Sequence, residues 1–193
     1  MFEYIEGHIA DITPTDVVID VNGVGYFIHI SLNSYTSLQS KKQARIFIHQ
    51  IVREDANLLY GFSTPEERQI FRLLLSVSGV GASTARMILS SLTPTELQSA
   101  ISTENVNIIK SIKGIGLKSA QRIIIDLRDK IKIDTEIDEI IGTTHNTNRD
   151  EALSALEILG FAKKPAEKVI NKLVASHPEF SVEELIKHAL TQL

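Results

Sequence analysis

The chain has 193 residues, of which 43% are hydrophobic and 23% charged, a balance typical of a globular protein with more than one small domain. It has no cysteine, which excludes disulfides, thiolate catalysis and cysteine-bound zinc, and its six histidines are scattered without the spacing of metal ligands. Its 20 basic and 24 acidic residues give a net charge of −4, which taken alone argues against nucleic-acid binding.

Residues 1–63 have the composition and period of β-strands. Runs rich in Val, Ile, Tyr and Phe alternate with polar residues, and Asn22-Gly23 is a hairpin signal between two of them. The predicted strands are Tyr4 to Ile12, Val17 to Val21, Tyr26 to Ile30, Arg45 to Val52 and Asn57 to Phe62. Five short strands in this length predict a small OB-type β-barrel, with an SH3-like barrel as the alternative.

Glu54 and Asp55 form an acidic pair between the last two predicted strands. We call this pair the acidic tip, because its position predicts the end of a β-hairpin. From the residues alone, a solvated acidic turn is the simplest interpretation.

From Thr64 the period becomes helical. Thr64-Pro65-Glu66-Glu67 combines an N-cap residue, a proline at the first helical position and a glutamate at the third, and Thr93-Pro94-Thr95-Glu96 repeats the device. We predict helices at 65–76, 82–91, 94–101, 104–110 and 117–130.

Two copies of one turn lie between these helices: Gly79-Val80-Gly81 and, 35 residues on, Gly114-Ile115-Gly116. Glycines allow a sharp turn that leaves the N–H groups of the following helix open to an anion, so a phosphate can be held without reading bases. Lys118 and Arg122, four residues apart, would reinforce that grip, although a solvated helix face is the simpler interpretation of two basic residues. The predicted DNA-binding residues are Gly79, Val80, Gly81, Ser83, Gly114, Ile115, Gly116, Lys118 and Arg122.

The charge is unevenly distributed. Residues 64–130 carry nine basic and six acidic residues, a net of +3, whereas residues 1–63 are at −3, 131–149 at −2 and 150–193 at −2. Only the segment with the glycine turns is basic, which indicates a confined DNA-facing surface.

The last sixty residues divide into a linker and a helical module. The acidic and polar stretch 133–148 lacks periodicity and is predicted to be a flexible linker. Residues 149–193 predict three helices, the first stopped by Gly160, the second from about Pro165 to Ala175 and the third capped by Ser181. In so small a module, Leu156, Leu159 and Phe161 are either core residues or an apolar patch that binds a partner.

The order of these parts, and several short segments, carry a family resemblance. The segments are Val24-Gly25-Tyr26, Val52 to Ala56 followed by Leu59 to Phe62, both glycine turns, and Leu159-Gly160-Phe161. Over essentially its whole length the chain resembles the RuvA family, the Holliday-junction-binding subunits of the bacterial branch-migration machine. The fold class is therefore expected to be α+β and multidomain: barrel 1–63, tandem helix-hairpin-helix domain 64–132, linker 133–148 and three-helix motor-binding domain 149–193.

The resemblance implies a homotetramer whose fourfold symmetry matches the four arms of a Holliday junction, held open and flat during recombination and repair. It implies a RuvB-type hexameric ATPase that pumps the duplex, and a RuvC-type resolvase as a further partner. Whether one tetramer or an octamer sits on the DNA is left open, as are the residues of the subunit interface. In the family, the pair matching Glu54 and Asp55 is an acidic pin near the junction centre, where carboxylates repel phosphates.

Two positions depart from the family pattern. Ala82-Ser83 stands where the first turn is usually followed by Pro-Lys, and Leu117-Lys118 stands where the second usually has two lysines. We expect the backbone grip to remain, with weaker salt dependence or with compensation from Lys110, Lys113 or Arg86.

No catalytic residue, cofactor or metal site is predicted. The sequence has no Gly-x-x-x-x-Gly-Lys-Ser/Thr phosphate loop and no Ser/His/Asp or carboxylate constellation for hydrolysis. It also has no apolar run long enough for a membrane span and no secretory signal, so a cytoplasmic protein is expected. The alternative is the DNA-binding module of a repair nuclease or glycosylase system. Asp126, Asp129 and Asp134 are then the nearest approach to a carboxylate cluster, although surface charge is the simpler interpretation.

Overall fold

A computed structural model describes the backbone of residues 1–140 and 144–193, and the side chains of residues 1–128, 130 and 148–193. The chain divides into two compact units, Met1–Lys132 and Ile133–Leu193. In the part of the chain that the structure describes, no helix is both long and apolar enough to span a membrane.

Five strands close a barrel at the start of the first unit. They are β1 (Tyr4–Ile12), β2 (Asp16–Val21), β3 (Val24–Ile30), β4 (Gln43–Val52) and β5 (Asn57–Phe62). Their order around the barrel is β1-β2-β3-β5-β4, with β1 pairing back to β4 and β3 running parallel to β5. This is the closed Greek-key order of an OB-type barrel, so that prediction is confirmed.

The barrel is filled by the inward-facing members of each alternating strand. Ile19, Ile28, Ile46 and Ile48 are fully buried, whereas the residues on either side of each in its strand are more exposed. A short helix, α1 (Leu32–Leu38), lies between β3 and β4 and was not predicted. Its polar Ser/Asn/Thr composition resembles a loop, and its one sequence signal is the N-cap Ser31, whose side chain accepts the Ser34 N–H.

Among the described residues, five helices follow the barrel, and the last of them continues past Lys132 into the second unit. They are α2 (Pro65–Leu75), α3 (Ala82–Ser91), α4 (Pro94–Ser102), α5 (Val106–Lys110) and α6 (Leu117–Ile140). Thr64 and Thr93 cap α2 and α4 as predicted. One apolar core runs from β5 through these helices, centred on Phe71, Leu74, Ile88, Leu89 and Leu97. The barrel and the helices therefore form a single packed body.

After α6, the described part of the second unit has three further helices, α7 (Thr144–Ile158), α8 (Lys163–Ser176) and α9 (Val182–Leu190). Gly160 follows α7 with a φ of +97°, and Ser181 and Glu184 form a capping box at α9. The helices pack around Leu156, Ile170 and Leu185.

Helix α6 continues to Ile140, beyond the predicted end at 130, and α7 begins at Thr144. The predicted linker 133–148 therefore overlaps two helices. Its residues 141–143 lie outside the described residues, and its flexibility stays a prediction.

Candidate nucleic-acid interface

The two glycine turns have the same geometry. Gly79 and Gly114 adopt φ angles of +88° and +87°, a left-handed conformation that side chains disfavour. The next residue in each turn is buried and donates its backbone N–H within the turn: Val80 to the Val77 carbonyl at 3.1 Å, and Ile115 to the Ile112 carbonyl at 3.0 Å. The repeat seen in the sequence is thus a repeat of structure.

The burial of Val80 and Ile115 corrects their predicted role. Both side chains belong to the helical core, and both N–H groups are already engaged, so neither residue presents a donor to DNA. They anchor the turns from inside. The glycines of the two turns and the residues that follow them stay the predicted contacts with a phosphate.

The helix N-terminus after each turn is open. Gly81 is the N-cap of α3 and makes no side-chain cap bond, and Ala85 N–H donates to its carbonyl at 2.9 Å. Gly116 occupies the same place before α6, since Ala120 N–H donates to its carbonyl at 3.0 Å. Helices α2, α4 and α9 instead have Thr or Ser oxygens that accept first-turn N–H groups.

Space in front of both N-termini is unobstructed. A Cβ built on Gly81 or Gly116 meets no heavy atom within 4 Å beyond its chain neighbours. Unpaired N–H groups at a helix start, with the positive end of the helix dipole behind them, form an anion site. We call these sites, at the starts of α3 and α6, the two phosphate grips.

The two grips are held against each other. Arg122, on α6 after the second turn, donates from Nη1 to the carbonyl of Ser78 in the first turn at 3.2 Å. A Cβ on Gly114 would lie 4.0 Å from Sδ of Met87 on α3. One predicted cation, Arg122, therefore also fixes the spacing between the grips.

The other predicted polar residues lie where a phosphate could reach them. Ser83 is exposed in the first turn of α3, and Lys118 is exposed in the first turn of α6. Lys110 and Lys113, expected as compensating cations, are exposed beside the second turn.

Arg86 does not fit the compensating role. It donates to the Thr15 carbonyl at 3.1 Å and lies 3.8 Å from Oδ1 of Asp16, so it ties α3 to the barrel. His29 Nδ1 lies 2.5 Å from the same Asp16 oxygen. Burial opposes ionisation of Asp16, but the hydrogen bonds from Thr15 and His29 outweigh it and hold the pKa of this carboxyl below its usual range.

The acidic tip lies at the turn between β4 and β5, as predicted. Arg53 N–H donates to the Ala56 carbonyl at 2.7 Å and closes a tight turn, from which Glu54 and Asp55 extend exposed. Its carboxylates are thus available to act on nearby charge.

Two buried charged residues of α2 were not singled out from the sequence. Glu67 was interpreted as a capping glutamate, and its N–H does donate to Thr64 Oγ1 at 3.2 Å. Its carboxylate, however, accepts from Ser31 and from Ser34 Oγ, the latter at 2.6 Å. Burial raises the pKa of Glu67, although these hydroxyl donors oppose the shift. The next residue, Arg68, is buried against the barrel. No sequence signal links Glu67 to partners more than thirty positions away.

The predicted partner-binding patch needs one correction. Leu156 is fully buried in the module core, and Phe161 packs partly against that core. Leu159 is 58% exposed, and its neighbour Ile158 is 84% exposed. The apolar surface at the end of α7 is therefore Ile158 and Leu159, which we call the α7 patch.

Among the described residues, no group of three or more His, Asp or Glu side chains lies close enough to hold a metal ion. The features that do converge are two candidate anion sites, which would contact phosphates and not bases, on a basic helical segment joined to an acidic barrel. They define a nucleic-acid-binding protein of the tandem helix-hairpin-helix class.

Comparison with known proteins identifies the family. Residues 1–61 match the model of the RuvA N-terminal domain, 71–129 that of the SAM-like helix-hairpin-helix tandem, and 147–193 that of the RuvA C-terminal domain. Proteins named Holliday junction branch migration complex subunit RuvA are similar over their full length. They include those of Flavobacterium psychrophilum, at 49% identity, and of Bacteroides thetaiotaomicron and Porphyromonas gingivalis, each at 47%, with all of both chains covered. The chain belongs to the RuvA family.

Proposed function

We propose that this chain binds four-way (Holliday) junction DNA by shape and charge, and that it is the DNA-binding subunit of a branch-migration complex. The observation that carries the proposal is the pair of phosphate grips, with Gly81 and Gly116 at uncrowded helix starts. The names of its relatives, which are branch-migration subunits, support the same role.

The grips act on the DNA backbone. Main-chain N–H groups at the starts of α3 and α6 donate to phosphate oxygens, and Lys118 adds a cation at the second grip. Because the Arg122–Ser78 bond fixes the grips side by side, both engage one duplex arm. Such contacts are the same for every base pair, so selectivity must come from the arrangement of arms.

The acidic tip supplies discrimination by repulsion. Placed where strands cross, the carboxylates of Glu54 and Asp55 raise the energy of a continuous duplex lying across the centre. A junction whose strands part around the tip avoids that repulsion.

Four copies around a fourfold axis present one pair of grips to each arm, and we infer a homotetramer on that basis. A RuvB-type hexameric ATPase supplies the energy, and a RuvC-type resolvase acts on the same junction. The α7 patch is our candidate contact for the motor, because two neighbouring aliphatic side chains are exposed there on a small module.

Gel retardation tests the function directly. A synthetic four-way junction is compared with a duplex of the same arm sequence over a range of salt concentrations, and the solution mass of the chain is measured alongside. We expect preferential binding of the junction, a mass of four chains and affinity that falls as salt rises. Equal affinity for junction and duplex would contradict the proposal.

A further inference from the structure

Helix α2 carries two neighbouring charged side chains that are almost completely buried: Glu67 is 2% exposed and Arg68 is 8% exposed. Charged side chains are rarely buried to this extent unless partners hold them. Both sets of partners here belong to the barrel or to α1, and α2 itself leads directly into the first phosphate grip. We call the two residues the α2 clamp.

Glu67 is held on one side of α2 by a hydrogen-bond network in which the donor and the acceptor of each bond can be assigned. Ser31 Oγ accepts the Ser34 N–H at 3.0 Å, and Ser34 Oγ accepts the Ser63 N–H at 2.8 Å. Each hydroxyl therefore has its proton directed to a Glu67 oxygen, Ser31 to Oε1 and Ser34 to Oε2. Because each of its two oxygens accepts from one hydroxyl, the carboxylate has a fixed direction, toward α1 and the end of β5.

Arg68 is held against the strands β1 and β4. Its Nη1 donates to the Glu3 carbonyl at 2.8 Å and lies 3.4 Å from the Ile48 carbonyl, and its Nη2 pairs with the Glu3 carboxylate. Its guanidinium also lies 5.5 Å from the centre of the Phe47 ring. The planar guanidinium fork fits only one orientation of α2 relative to β4.

Stability alone does not account for this arrangement. Buried charges lose their hydration, and apolar residues of similar volume replace such groups with little loss or with a gain in stability. Two buried polar groups that point in different directions instead fix the orientation of the helix, because a hydrogen bond tolerates only a narrow range of distance and angle. The clamp is therefore an alignment device for α2.

The angle between α2 and β4 determines the relative positions of two features that lie beyond their ends, the first glycine turn and the acidic tip. From Arg68 to Leu75 the helix is about 10 Å long, and the first glycine turn follows. From Ile48 to Val52 the strand β4 is about 14 Å long, and the acidic tip follows. A rotation of about 10° at the clamp would displace the end of one arm by about 2 Å in the frame of the other, several times the half-ångström tolerance of a hydrogen bond.

We propose that Glu67 and Arg68 are positioning residues that set the angle between the barrel and the helical hairpins, and with it the place of the acidic tip relative to the phosphate grips. The effect on DNA selectivity rests on the proposed function. The effect on the geometry within the chain is independent of the proposed function.

The absence of cysteine from the sequence allows a direct measurement of that geometry. Spin labels are placed on Arg53→Cys beside the acidic tip and Lys113→Cys beside the second turn, both exposed positions. Labelled chain is diluted with unlabelled chain, so that the distance within one copy is measured without DNA. The same pair is then measured with Glu67→Leu, Arg68→Met and the isosteric Glu67→Gln. Glu66→Gln is the matched control, because it makes the same chemical change on the exposed face of α2.

We expect a narrow distance distribution in the parent and in Glu66→Gln. Glu67→Leu and Arg68→Met should shift or broaden it by about 2 Å or more, and Glu67→Gln by less, with thermal unfolding still cooperative. In parallel, the ratio of junction to duplex affinity should fall at least tenfold in the two apolar variants. Unchanged distances in folded Glu67→Leu and Arg68→Met chains would overturn the proposal, as would an unchanged distance in Glu67→Gln if the other two failed to fold. A parent chain with no preference for junctions would instead contradict the proposed function.

Discussion

Gly81 and Gly116 can be separated from the other glycines of their turns by what a side chain would do. Gly81 has a φ of −89°, and the φ of Gly116 is not positive. Both positions therefore accept an L-residue without backbone strain. A Cβ there projects into open space. Gly79 and Gly114 have positive φ, so alanine at either would destabilise the fold by about 1–2 kcal/mol.

Gly81→Val or Gly116→Val should therefore leave the fold intact and reduce junction affinity at least tenfold, because the added side chain blocks main-chain approach to a phosphate. Lys118→Ala should cost only a few-fold and lower the slope of log affinity against log salt by about 0.9. Circular dichroism and gel retardation check both. A larger loss with Lys118→Ala than with the glycine variants would refute the backbone grip.

Neutralising the acidic tip should not weaken DNA binding, in contrast to changing the glycines of the grips. Glu54→Gln with Asp55→Asn removes two charges at nearly constant volume, and no partner of either side chain is lost from the turn closed by Arg53 and Ala56. Junction affinity should be unchanged or higher, and duplex affinity should rise more, so that selectivity falls. The difference should shrink with salt as the Debye length falls from about 8 Å at physiological ionic strength. Markedly weaker junction binding, at unchanged solution mass, would show that the tip attracts DNA or supports the fold.

The buried carboxyl of Glu67 should make the stability of the fold depend on pH. Its pKa is raised by burial, so the folded state binds a proton more readily than the unfolded chain. The carboxyl therefore destabilises the fold progressively as pH rises above the ordinary glutamate range, until the raised pKa is passed. The free energy of unfolding of the parent, measured with urea, should decline relative to that of Glu67→Gln as pH rises from 4 to 8. A difference that is constant, or that changes the other way, would contradict this account.

At the scale of elements, the sequence was most informative where local chemistry decides structure. The helix starts at Thr64, Thr93 and Ser181 follow from side-chain capping, and the turn at Gly79 follows from a φ that only glycine adopts readily. Helix α1 was missed because its stability comes from contacts with α3, where Asn33 Nδ2 donates to the Leu89 and Leu92 carbonyls at 2.6 and 3.0 Å.

The candidate site divides in the same way. The grips and the acidic tip could be placed from spacing, because each is a local turn. The burial of Val80, the role of Arg86 and the partners of Glu67 could not, because each depends on a segment distant in sequence.

The end of α7 provides the prediction at this scale. Ile158→Ser with Leu159→Ser replaces exposed side chains, so the module should stay folded and DNA binding should be unchanged, while stimulation of a RuvB-type ATPase is lost. Leu156→Ala, in contrast, should destabilise the module by about 2–5 kcal/mol because it opens a cavity in the core. ATPase assays and thermal unfolding distinguish the two. Full stimulation by the double serine variant would exclude the α7 patch as the motor contact.

For the molecule as a whole, the basic segment and the grips lie in one of the two units. The basic segment 64–130 lies in the first unit with the grips, and residues 150–193, in the second, carry a net charge of −2. A chain ending at residue 140 should therefore bind junctions with the affinity of the full chain, within about threefold, since no attractive contact is removed. Gel retardation at several salt concentrations measures this. A loss of tenfold or more would place DNA contacts in the second unit.

The uncapped starts of α3 and α6 have one more consequence, for motion along DNA. A main-chain donor makes the same contact with every phosphate, so the energy of the complex hardly varies from one base pair to the next. On the proposed function, the energy of DNA that moves past the grips changes little from one base pair to the next, with small, evenly spaced barriers. Pauses of a migrating branch point should then coincide with mismatched or unusually stable base pairs in the DNA, and their positions should stay the same when Gly81 or Gly116 is altered.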